Sequence, residues 1–372
     1  MQFSISSADL KEQLQIINGA ISSNPILPIL EDFLFRIEGD TLTIAATDNQ
    51  TFMTAALHVE ADQDGLIAIP ARILLDTLKQ LPTQPLKFNI DLDTFGVTIT
   101  SQFGQYKLAG EDGNDFPKLP QPKEVNRVEV PATVLLEGIN KTLFATSTNE
   151  SQPAMMGVFV QINSEALTFV ATDAHKLVKY TFTDLETDLD GTFILPKKAL
   201  GLLKNALSNS NQSIEITYNE THAIFYFGNQ ILSCRLIDEN YPNYSAVIPA
   251  GNPNTMSITR TDFLNSLKRI ANYANKTTNQ VKLEIADSSL TIEAEDLDFS
   301  NRATEQLPCY YDGDPITIGF NAKFLIEMLN VIGGDSVRIE LSDPNRAGIL
   351  KTEEQAPNED LLMLVMPVML NV

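Results

Sequence analysis

The chain has 372 residues, 43% of them apolar, a mean hydropathy of −0.05 and a formal charge of −22 from 26 basic and 48 acidic side chains. That length exceeds what one hydrophobic core serves and predicts two or three domains. The apolar share excludes a disordered chain, and so acidic a surface excludes adhesion to a polyanion over the whole protein.

In chain order, Met1-Gln2-Phe3-Ser4-Ile5 lacks the basic and long apolar regions of a secretion signal. Leu10, Leu14, Ile17 and Ile21 then recur at spacings of three and four, which predicts an amphipathic helix over 7–20. Leu42-Thr43-Ile44-Ala45-Ala46 predicts a strand, followed by Asp48. Ala68-Ile69-Pro70 leads into a second helix over 71–81, carried by Ile73, Leu74, Leu75 and Leu78, and a strand centred on Ile90 follows. After Phe116-Pro117, the aperiodic Lys118-Leu119-Pro120-Gln121-Pro122-Lys123 reads as a linker.

The same order then begins again. A helix over 132–146 rests on Leu135, Ile139 and Leu143, and Leu167-Thr168-Phe169-Val170-Ala171 is followed by Asp173. Ile194-Leu195-Pro196 leads into a helix over 197–207, then come a strand about Ile216, Tyr241-Pro242, and the linker 249–254. The third pass has Phe263, Leu267 and Ile270 on a helix over 260–274, Leu290-Thr291-Ile292-Glu293-Ala294 with Asp296, and Ile318-Gly319-Phe320 before a helix over 322–332. It closes with a strand about Ile339 and Met366-Pro367. The Leu-Thr strands are offset by 125 and 123 residues, so the chain is a triplication with units at 1–120, 121–250 and 251–372. Each unit has two helices and about eight strands, an α+β fold with the helices packed on antiparallel sheet.

Charge is segregated within this pattern. The six helices carry a net +5, which leaves −27 on the rest. A ring of repeats with its helices inside would gather Arg72, Lys79, Lys197, Lys198, Lys204, Lys268 and Arg269 toward one polyanion and keep the acid outside. No base-reading motif or aromatic stacking platform is present, so recognition of a nucleic acid sequence is not expected.

The three units, together with Ala171-Thr172-Asp173-Ala174-His175-Lys176-Leu177, Tyr241-Pro242-Asn243-Tyr244 and Val365-Met366-Pro367, resemble the bacterial DNA polymerase III β subunits, the sliding clamps. The resemblance spans the whole chain. It implies a head-to-tail homodimer forming a six-domain ring around duplex DNA, held topologically and without sequence preference. It further implies ATP-driven loading by a clamp loader, and tethering of the polymerase α subunit and other proteins with clamp-binding motifs. The implied partner site is an apolar cleft between the second and third units. Its lining would come from Met155, Thr172, Ala174, His175 and Leu177, from Pro242 and Val247, and from Phe324, Leu364, Met366 and Pro367. Leu and Met side chains suit several related peptides rather than one. The implied ring joint uses Tyr106 and Lys107 of one chain against Ile270, Tyr273, Asp298 and Glu305 of the other.

The sequence departs from the family pattern at Ala174, where glycine is common, at Lys176 for arginine, at Ala246 for a basic residue and at Val368 for methionine, and its tail runs to Asn371-Val372. These changes bear on which peptide the cleft prefers.

Two other classes compete. An enzyme would need a site constellation, yet the chain has three histidines and no Gly-x-Ser-x-Gly, His-Glu-x-x-His or P-loop signature, so no catalytic residue is assigned. Two cysteines, Cys234 and Cys309, give neither a disulfide framework nor zinc spacing. No apolar run reaches the ~18 residues that cross a bilayer, so a cytoplasmic chain without metal or cofactor is expected. An acidic repeat scaffold that binds peptides without encircling DNA fits the triplication equally, but it has no reason to segregate charge onto helices.

Overall fold

The computed structural model describes residues 1–22, 25–185, 187–208 and 212–370; Asn371 and Val372 lie outside them. Among these residues the α-helices are α1 Ser7–Ile17, α2 Ala71–Gln80, α3 Ala132–Thr142, α4 Lys197–Leu207, α5 Arg260–Ile270 and α6 Ala322–Val331. All six fall where apolar spacing predicts them. The first helix of each repeat is shorter than expected. α1, α3 and α5 stop after 11 residues and tighten into the 3₁₀ turns Asn18–Ala20, Leu143–Ala145 and Ala271–Tyr273. Each turn closes identically: Ile21 N donates to Asn18 O, Thr146 N to Leu143 O and Ala274 N to Ala271 O, at 3.1–3.3 Å. Tightening of this kind satisfies carbonyls that the helix end leaves open.

The chain divides into two compact units, Met1–Leu136 with Leu195–Leu236, and Glu137–Ile194 with Ile237–Val372. The boundary cuts the middle repeat, because its strands are shared out to its neighbours' sheets. In the first unit Thr51–His58 pairs antiparallel with Gln230–Arg235, Thr51 opposite Cys234, and completes a nine-stranded sheet. In the second, Lys176–Phe182 pairs antiparallel with Glu359–Val365, Lys176 opposite Val365, within another nine-stranded sheet.

Each unit also holds a smaller sheet. That of the first unit has five strands and ends on Gln105–Ala109; that of the second has four and ends on Asn301–Pro308.

The cores follow the expected faces. Pro85–Ile90 alternates exposed and buried residues, placing Phe88 inside, where it stacks on Phe3 with ring centroids 4.6 Å apart and also meets Phe35. In the second unit Gly138 interrupts α3 where the ring of Phe169 passes; a Cβ there would lie 2.5 Å from that ring. The absence of a side chain lets helix and sheet approach, at a cost of ~1 kcal/mol in helix propensity.

Candidate functional site

The site is built on a turn used twice. After Leu167–Thr172, Thr172 Oγ1 donates to Lys176 O (2.7 Å) and accepts from Ala174 N (3.1 Å), while Asp173 Oδ1 accepts from His175 N and Lys176 N at 2.9 Å each. After Thr41–Thr47 the network recurs: Thr47 Oγ1 donates to Thr51 O and accepts from Asn49 N, and Asp48 Oδ1 accepts from Gln50 N and Thr51 N. Asp48 and Asp173 are therefore turn acceptors. The third position of the turn is left-handed in both, with φ +72° at Asn49 and +73° at Ala174. Asn tolerates that backbone; Ala is strained there.

In the second unit this turn is clamped to α6. The His175 ring stacks on Phe324, centroids 6.1 Å apart and planes 15° from parallel. Lys176, only 5% exposed, places Nζ 2.6 Å from Glu327 Oε2, 3.3 Å from Asp173 Oδ2 and 4.6 Å from the Phe324 centroid. The C-terminal segment joins from the other side, Met366 N donating to His175 O at 2.8 Å. Beneath lies an apolar cluster of Val170, Leu177, Ala347, Ile349 and Leu364, with Phe159, Tyr241, Tyr244, Ile248 and Leu362 packed against it. Phe159 and Tyr241 stack at 4.7 Å, and Tyr241 donates to Val170 O. Burial holds the Tyr241 phenol well above its ordinary pKa, so it remains a neutral donor.

Of the residues expected to line a cleft, the structure brings together Thr172, Ala174, His175, Leu177, Phe324, Leu364 and Met366. Leu177 and Leu364, each 2% exposed, and Thr172 are buried, so they present little surface to a partner. Val247 (54% exposed) and Met366 (38%) are open to solvent. Pro242 and Val247 adjoin the cluster members Tyr241 and Ile248, and Pro367 follows Met366. Met155 is half-buried on the short turn Pro153–Met156, its carbonyl accepting from Ser147 N. Sequence reasoning missed the Lys176–Glu327 pair and the Phe159–Tyr241 stack. Tyr241-Pro242, noticed as a repeat landmark and as part of the family motif but given no packing role, was the signal for the second.

The cations separate into two groups. Lys198, expected to face phosphate, instead donates to Asp48 Oδ2 and Ala20 O, both at 2.7 Å. Arg269 likewise grips Glu305 with both prongs, at 2.5 and 2.7 Å. A bidentate carboxylate consumes the donors that a phosphate would use. Lys79 has a 3.0 Å contact with Asp76. Arg72, Lys197, Lys204 and Lys268 are exposed and form no ion pair among the described residues.

The joint residues also need one correction. Ile270 is 1% exposed and belongs to its own unit's core, because it lies on the apolar stripe of α5 with Phe263 and Leu267. Glu305 is held by Arg269, which keeps its carboxyl below the usual range. Tyr106 and Lys107 lie on the open edge strand Gln105–Ala109, Tyr273 is 45% exposed, and Asp298 sits in an exposed turn.

Among the described residues no group of three or more His, Cys, Asp or Glu could hold a metal, and no helix is long and apolar enough to cross a membrane. Both cysteines are free, and burial pushes the Cys234 thiol up to about 12.

Comparison with known proteins identifies the family and the fold. Residues 1–120, 129–243 and 245–369 match, in order, the N-terminal, central and C-terminal domains of the DNA polymerase III beta subunit. A beta sliding clamp of Synechocystis sp. is 29% identical, with 98% of each chain covered, and one of Pseudomonas aeruginosa is 26% identical over the full length of both. The crystal structure of the Bacillus subtilis DNA polymerase sliding clamp covers all of both chains with a TM-score of 0.94 at 25% identity. A Pseudomonas aeruginosa sliding clamp bound to griselimycin gives the same values. The repeated α+β units carry the clamp fold, and the chain belongs to the DNA polymerase III beta subunit family, the sliding clamps of bacterial DNA replication.

Proposed function

We propose that two copies of this chain close head to tail into a ring around duplex DNA, which slides without sequence preference and tethers the replicative polymerase. The observation that carries this reading is the pair of sheet joints. Thr51–His58 meets Gln230–Arg235, and Lys176–Phe182 meets Glu359–Val365, each within a nine-stranded sheet. The same two kinds of strand, Asn301–Pro308 and Gln105–Ala109, each leave one edge open at the end of a four- and a five-stranded sheet. Joining them between copies makes a third sheet of nine and removes both open edges.

In this reading the repeats at 1–120, 121–250 and 251–372 are the ring's domains, and the chain acts in the cytoplasm without catalysis or cofactor. Lys197, Lys204 and Lys268 face the phosphates, at too few points to grip them. The shelf at His175, Phe324, Val247 and Met366 receives short apolar motifs from the polymerase α subunit, the clamp loader and other clamp-binding proteins. Its exposed members are flexible or apolar, which suits several related peptides.

The test is retention on nicked circular DNA after treatment with a clamp loader and ATP, beside a clamp that the loader is known to load. The protein should stay on the circle and leave once the DNA is cut. Retention on both forms would mean that it grips DNA by contacts, and the ring reading would fail.

A further inference from the structure

The two joints inside the chain share a second feature besides strand pairing. At each, the turn described above meets the first turn of a neighbouring helix. Asp48 receives Lys198, the second residue of α4, and His175 stacks on Phe324, the third residue of α6. In α2 the corresponding residues are Arg72 and Ile73. Ile73 is 52% exposed and lines a cavity of about 680 Å³ together with Pro70, Thr77, Leu81 and Tyr106.

The corresponding turn of the third repeat lies between Ser289–Asp296 and Asn301–Pro308. It has four residues where the others have three, and holds Leu297 (79% exposed), Asp298 and Phe299 (73% exposed). Buried Asp296 accepts from Asp298 N, as Asp48 and Asp173 accept within their own turns. Exposed apolar side chains so placed are unusual on an acidic, otherwise polar turn.

We propose that Phe299 of one copy seats in the cavity on α2 of the next, over Ile73, while Asp298 pairs with Arg72. This rests on the ring reading, and it assigns the contact that fastens the joint. The third joint then repeats the other two, with Phe299 over Ile73 in place of His175 over Phe324, and Arg72 with Asp298 in place of Lys198 with Asp48. The strand register follows from the same equivalence. Thr51 faces Cys234 and Lys176 faces Val365, so Asn301 faces Leu108 and Ala303 faces Tyr106. Tyr106 and Ala303 both lie on the half-buried face of their strands, a large side chain opposite a small one. Lys107 falls beside Arg302, whose charge Glu293 already meets.

The test uses the full chain carrying Cys309→Ser, with paired cysteines joined by a short bismaleimide and resolved on denaturing gels. One variant has Ile73→Cys and Phe299→Cys; the control for strand pairing has Tyr106→Cys and Ala303→Cys. Both pairs should give covalent dimers, and the four single variants should give none. Phe299→Ala should weaken the dimer at least about 10-fold by native mass or sedimentation, as loss of a seated aromatic anchor does. If the 106/303 pair links and the 73/299 pair does not, the ring stands and this anchor is wrong. An unchanged dimer constant for Phe299→Ala would also overturn it. If neither pair links and the wild-type chain is monomeric, the ring reading itself fails.

Discussion

Asp32 opens the strand Asp32–Glu38 with its side chain 5% exposed and Oδ2 without a hydrogen-bond partner. Burial, with Glu111 and Glu31 adding negative charge, pushes its carboxyl from 3.8 up to about 7. A folded pKa above the unfolded one means that the native state holds the proton more tightly. Asp32's contribution to stability is complete below about pH 4, declines through the window up to about pH 7, and stays lost above it. Asp32→Asn removes the ionisation penalty and should stabilise the chain by about 2 kcal/mol at pH 8 and hardly at all at pH 4, read from melting curves at the two pH values. Equal gains at both would place the effect in packing instead. Ala174 offers a second test. Its φ of +73° suits glycine, so Ala174→Gly should raise stability by about 1 kcal/mol in a denaturant titration while leaving the Thr172–Asp173 turn network intact.

Between elements, the decisive contacts link residues far apart in the chain. Lys176 and Glu327 are 151 positions apart, and Lys198 and Asp48 are 150 apart. Lys176→Ala withdraws a buried cation from two carboxylates and an aromatic face, and should cost about 2 kcal/mol in stability of its unit. Glu327→Gln should cost under about 1 kcal/mol, because Glu327 is 44% exposed and Asp173 still serves the lysine. Calorimetry of the two variants checks the order. These pairs also mark what the sequence could not disclose. The helices, the Leu-Thr strands and the triplication were legible, because they rest on local periodicity repeated three times. So was the neighbourhood of His175, Leu177 and Met366, through the family likeness. Helix charge was legible only as a sum, since nothing local says that Lys198 and Arg269 are already engaged by Asp48 and Glu305. The 3₁₀ endings of α1, α3 and α5 were likewise hidden, because their apolar stripes continue through the turns.

For the whole molecule, the sign of its charge and the nature of its polyanionic partner are compatible only if contact with DNA is confined to a few cations. Lys197→Glu, Lys204→Glu and Lys268→Glu combined should slow loading onto a nicked circle severalfold, while binding of a clamp-motif peptide, measured by fluorescence anisotropy, stays unchanged. Loss of peptide binding in that variant would mean that the three lysines support the fold rather than meet DNA. The unlike open edges, Gln105–Ala109 and Asn301–Pro308, carry a further consequence for assembly. In the ring proposed above, where the two unlike edges join head to tail, a closed pair of copies makes two joints. The first forms at the free concentration of the protein. The second then closes within the pair, at an effective concentration on the order of millimolar for tethered partners. Each joint can therefore be individually weak while the closed pair persists at low protein concentration. Every substitution at the joint is present in both copies and acts on both closures, so its effect on dissociation enters squared.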